Sequence, residues 1–141
     1  MVLAVMTLPP ALTFVGWLAL LAIAGITGRH PIWSLAPENL PEAAAFRDPV
    51  AVVRHLARGE NIDRAEHVRA GIVRPDAANL TPIEAAAAAQ DESMVQMMFN
   101  LGAAPEPMVW QHAWCISDSA AVRDALERRR PSGADPALCR E

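Results

Sequence analysis

The sequence predicts an all-α protein, with a single N-terminal transmembrane helix followed by a short stack of helix pairs. Three observations carry this. Residues 1–28 contain no charged side chain, and every Arg, Asp and Glu lies beyond them. The rest of the chain is rich in alanine runs, has no tyrosine and shows almost no alternating β-branched stretch. Residues 91–103 repeat the pattern of residues 48–60, with apolar positions at helical spacing and then a glycine where a helix stops.

The apolar run 11–28 spans about 27 Å as a helix at 1.5 Å per residue, close to a hydrocarbon core of roughly 30 Å. Pro9 and Pro10 suit the first turn, and Gly28 with Arg29, His30 and Pro31 supplies a stop. Trp33 falls where an aromatic anchor at the headgroup level belongs. Ala24, Gly25 and Gly28 are small enough to let a second helix approach. The competing reading is a cleaved signal, because Ala22-Ile23-Ala24 before Gly25 has the small-residue pattern of a cleavage site, but no positive residue precedes Arg29. Arg29 and Arg47 follow the run, which favours a cytoplasmic C-terminal domain on a single-pass protein of a bacterial inner membrane.

Residues 29–38, with Pro31 and Pro37, read as an extended linker. Beyond it lies one small domain over 39–136, built of three units at 39–61, 80–105 and 108–136, with an insertion at 64–79 and a tail at 137–141. The first unit holds Ala43-Ala44-Ala45 and then Val50, Val52 and Leu56, with Gly59 as the stop. The second holds Ala85 to Ala89, then Val95 and Met98, with Gly102 as the stop. The third runs from Trp110 through Leu126 to Gly133-Ala134-Asp135-Pro136.

In the middle unit, Leu80-Thr81-Pro82-Ile83-Glu84-Ala85-Ala86, then Val95, Met98-Phe99 and Leu101-Gly102-Ala103, resembles an ankyrin repeat. Thr81 is suited to cap the first helix, Pro82 to sit in its first turn and Gly102 to end the second. The resemblance implies a short, degenerate stack that binds partners through its concave face and projecting loops. Glu84 stands where that family has a histidine, which puts the family's usual turn hydrogen bond in doubt.

Charge and motif content narrow the function. A net charge of −4 without a basic stripe disfavours nucleic acid. Arg128-Arg129-Arg130 reads as a solvated helix end. The four histidines, His30, His55, His67 and His112, with Cys115 three residues beyond the last, lack the ligand count and spacing of a zinc site. His112 reads as a hydrogen-bonded histidine at a helix start, and Cys115 as a small apolar core residue. Ser93, Ser117 and Ser119 lack a nucleophile-elbow context. Asp91, Glu92 and Asp118 fit helix starts, and no glycine-rich phosphate loop occurs. Cys115 and Cys139 are expected as independent thiols.

The expectation is therefore a protein that is not an enzyme, with no cofactor, metal or catalytic residue. It is a membrane-anchored module for protein–protein interaction, bound to the bilayer through residues 11–28. Its partner is another protein, with an integral membrane complex as one expected case. Arg64, His67, Arg69, Ile72 and Arg74 of the insertion are the expected partner-binding residues, since arginine flanked by apolar residues is a favourable interface composition. One alternative makes the chain an accessory single-span subunit packed through Ala24, Gly25 and Gly28. Another makes it a periplasmic binding or protective protein, if the N-terminal segment is a cleaved signal.

Overall fold

The computed structural model describes residues 16–18 and 36–139. The chain divides into two units, Met1–Ala36 and Pro37–Glu141. In the first, residues 16–18 are helical with exposed side chains.

The second unit contains three helix pairs. The first pair is α1 (Leu40–Ala45) with α2 (Pro49–Ala57). A two-stranded antiparallel sheet follows, β1 (Glu66–Val68) with β2 (Ala78–Leu80), in the register Glu66↔Leu80 and Val68↔Ala78. Then come α3 (Pro82–Ala88) with α4 (Glu92–Asn100), and α5 (Pro107–Ile116) with α6 (Ala120–Glu127). A 3₁₀ turn, Pro136–Leu138, lies against α5.

Local chemistry explains the helix boundaries. Asn39 caps α1 by accepting from the Glu42 N–H at 3.0 Å. Asp48 caps α2 by accepting from Val50 and Ala51, and Asp91 caps α4 by accepting from Met94. Thr81 and Glu84 form a reciprocal capping box on α3. Gly59 and Gly102, at φ 90° and 99°, turn the chain out of α2 and α4 through a conformation that side chains resist.

The alanine runs decide the packing. Ala43, Ala44, Ala85, Ala86 and Ala87 are fully buried, so the first helices of successive units lie close, α1 on α3 and α3 on α5. The second helices pack behind them. Leu40, Val52, Ile83, Val95, Met98, Val122 and Leu126 fill the space between the layers. Trp110 is wholly buried in the last pair, and its indole N–H donates to the Leu126 carbonyl at 2.8 Å.

Successive units are also stitched by side chains. Arg47 and Gln90 follow α1 and α3, and both are left-handed, at φ 59° and 57°. The Arg47 guanidinium donates to the Ala89 carbonyl and lies 3.6 Å from Asp91. Gln90 does the same for the next unit, its Oε1 accepting from the Asp118 and Ser119 N–H groups at 2.8 and 2.7 Å.

Two expectations are overturned. The fold is not all-α, because β1 and β2 pair. Each is three residues long, too short for alternation to register in sequence, yet Val68 and Leu80 are both buried. Among the described residues no helix is long and apolar enough to cross a membrane. The single-pass transmembrane class is corrected accordingly. Apart from residues 16–18, the expected span 11–28 lies outside the described residues, as do Ala24, Gly25, Gly28 and Trp33.

A third correction concerns the cysteines. Cys115 and Cys139 form a disulfide across a Cα–Cα distance of 5.3 Å. The tail folds back so that the 3₁₀ turn meets the end of α5, a return that sequence spacing does not reveal.

Candidate functional site

The insertion was expected to act as one outward-facing set, and the structure separates its members. Arg64 is exposed and lies 3.9 Å from Glu66. His67 is exposed on β1, and its carbonyl accepts from Asn39 Nδ2 at 2.7 Å. Ile72 is half-buried and packs against the core. Arg69 turns inward, and Arg74 reaches toward the last helix pair.

Arg69 braces the loop to the first unit. Its Nε donates to Glu42 Oε1 at 2.7 Å and its Nη2 to Glu42 Oε2 at 2.5 Å, the two-pronged geometry that suits guanidinium and carboxylate. Its Nη1 donates to Glu38 Oε1 at 2.9 Å, and its own backbone N–H donates to Glu42 Oε1 at 3.1 Å. Glu42 is wholly buried. Burial pushes its carboxyl pKa upward, but the Arg69 fork and the N–H groups of Glu38 and Arg69 outweigh that, and the pKa lies below its ordinary value.

Glu84 repeats the arrangement one unit later. It occupies the same position on α3 that Glu42 holds on α1, three residues past the cap. Its Oε2 accepts from the Thr81 N–H and hydroxyl at 2.7 and 2.8 Å, and its Oε1 faces His112 Nδ1 at 2.6 Å. Burial again raises the pKa, and the bonds from His112 and Thr81 more than compensate, so the carboxyl is held low. His112 is not at a helix start but in the middle of α5. The pattern of a buried glutamate with a distant basic partner was missed in sequence; its one visible trace is a Glu three residues after the caps of α1 and α3.

Acid should therefore weaken the domain. Glu42, Glu84 and Asp91 all have lowered pKa values in the folded state. Their contribution is complete above the unfolded carboxylate range and is lost as pH falls through the lower folded values. The thermal midpoint is expected to hold from neutral pH down to about pH 5 and to drop below about pH 4. Glu42→Gln should flatten that drop in circular dichroism melts; an identical acid profile in the variant would remove Glu42 from the account.

Arg74 is positioned by a turn in which the Gly71 N–H donates to the Arg74 carbonyl at 2.7 Å, with Gly71 at φ 83°. Its Nη2 lies 3.5 Å from His112 Nε2. Beside them, Met108, Gln111, His112 and Cys115 lie on one face of α5 at helical spacing and line a depression of about 290 Å³. Met108 is 83% exposed there. A larger hollow of about 420 Å³ lies between the base of the hairpin and the start of α5, lined in part by Asp63, Thr81 and Val109. Asp63 is engaged there as a brace, accepting from the Ala104 N–H at 3.0 Å. Among the described residues no group of three His, Cys, Asp or Glu side chains is placed to hold a metal ion.

The fold and site define a short stack of helix pairs with one hairpin, braced by buried carboxylates. No family model, curated protein or solved structure matches the chain. The ankyrin resemblance thus finds no support in those comparisons, and the ankyrin-repeat and transmembrane assignments do not stand. The resemblance rested on a Thr-Pro cap and a Gly-Ala stop, which serve any helix pair of this length.

Proposed function

We propose that this domain is a non-catalytic module for protein–protein interaction. The observation that carries the reading is the outer face of α5, at the end of the three helix pairs, which presents exposed Met108 beside the depression at His112. Repeated helix pairs make extended surfaces that bind by shape. The ionisable groups support the same reading because they serve the scaffold. Glu42 and Glu84 are braces, and Glu60 accepts from the Leu40 N–H while facing buried His55 at 2.5 Å.

The disulfide supports an oxidising compartment as the working environment, since such bonds persist outside the reducing cytosol. That favours the periplasmic binding or protective reading among the alternatives.

A photocrosslinking residue at Met108, or at exposed Val53 on α2, in the full chain tests the module. A discrete protein adduct is expected from position 108. A folded, disulfide-bonded chain that yields no adduct at either position would sink the reading.

A further inference from the structure

The two arginines of the hairpin loop differ in how fully they are used. Arg69 spends its fork on Glu42 and Glu38. Arg74 is half-buried, and among the described residues no carboxylate lies within ion-pair distance of it; its side chain meets His112 Nε2 at 3.5 Å. A guanidinium carries five N–H donors, so one long contact leaves most of them available.

His112 fixes what kind of group can approach. Its Nδ1 is engaged by the buried Glu84 carboxylate at 2.6 Å, which holds the ring in place. Its Nε2 lies 3.5 Å from Arg74 Nη2. The permanent positive charge beside the depression is the single Arg74 guanidinium. The adjoining depression is lined by Met108, Gln111, His112 and half-buried Cys115. One cation beside an apolar hollow of side-chain size suits a monoanion attached to an apolar group. A phosphate, with more charge and more acceptors, calls for additional donors.

Resting on the interaction reading above, we propose that the depression on α5 is an anchoring site for a carboxylate of a partner protein. In it, Arg74 makes the ionic contact, and Met108 and Cys115 hold the apolar side chain next to that carboxylate. His112, held by Glu84, is a positioning residue that keeps the guanidinium at the rim.

The test uses isotopically labelled full chain with N-acetylleucine as the probe, N-acetylleucinamide and inorganic phosphate as comparisons, and NMR shifts as the readout. N-acetylleucine should give saturable shifts at Met108, Gln111 and His112, with the amide at least about tenfold weaker for want of the charge-assisted bond. Arg74→Gln should weaken the acid by a similar factor and Arg74→Lys by less, while Arg64→Gln leaves it unchanged. Equal binding of the amide, tighter binding of phosphate, or an unaffected Arg74→Gln chain overturns the anchor. Crosslinking at position 108 separates this from the broader reading. An adduct formed equally well in the Arg74→Gln chain overturns the anchor alone, and no adduct from position 108 or position 53 in the chain with Arg74 intact overturns the interaction module itself.

Discussion

Arg69→Ala is expected to destabilise the domain by about 3 kcal/mol, the lower end of the range for breaking a buried ion pair. The lower end applies because Arg69 itself is 26% exposed, so water can partly replace it. Glu42, by contrast, is wholly buried and would keep only two backbone donors for its charge, the N–H of Glu38 at 3.0 Å and that of residue 69 at 3.1 Å. Most of the cost is that stranded carboxylate, not the value of the pair. Glu42→Leu combined with Arg69→Met should therefore recover much of the loss, and the double-mutant cycle should be strongly non-additive. Urea unfolding of the unaltered chain, Arg69→Ala, Glu42→Leu, Arg69→Met and the double variant measures both. A loss under about 1 kcal/mol for Arg69→Ala, below what a stranded charge costs, would mean that Glu42 finds water or another donor.

Loss of the Cys115–Cys139 bond should have a comparable effect. With a sequence separation of 24, release of the closed loop in the unfolded chain costs about 3 kcal/mol in the chain-entropy description. For a domain of this size that corresponds to a fall in melting temperature of roughly 10 °C or more. Cys139→Ser and reduction of the unaltered chain should agree, because both free the 3₁₀ turn from α5. Alkylation before and after reduction reports the state of the thiols in the cell. An unchanged melting temperature in Cys139→Ser would show that the tail adds nothing to the fold's stability.

What the sequence made legible was governed by local chemistry. Thr81 and Pro82 announce the start of α3, Asp48 and Asp91 cap the second helices, and Gly59 and Gly102 end them, all through neighbours a few residues away. The braces were illegible because their partners are remote: Arg69 meets Glu42 across 27 residues and His112 meets Glu84 across 28. Glu84 looked like a departure from a pattern and is instead the reciprocal member of a capping box. The hairpin escaped because three-residue strands leave too few positions for a period of two to show. For the site, the composition of 64–74 marked a region worth attention but not the direction each side chain takes. A helix imposes that direction by its periodicity; a loop takes it from contacts such as those of Arg69 and Gly71.

The left-handed residues after α1 and α3 bear on cooperativity. In a linear array, stability separates into what each unit contributes alone and what it gains from its neighbour. Arg47 and Gln90 place hydrogen bonds in the neighbour term, so folding of one pair is conditional on the presence of the next. The third pair has no left-handed residue at that place, Ser117 being extended. It is the pair that carries the disulfide. In the language of coupled units, a covalent link there raises the intrinsic term of the one pair that makes no such onward stitch.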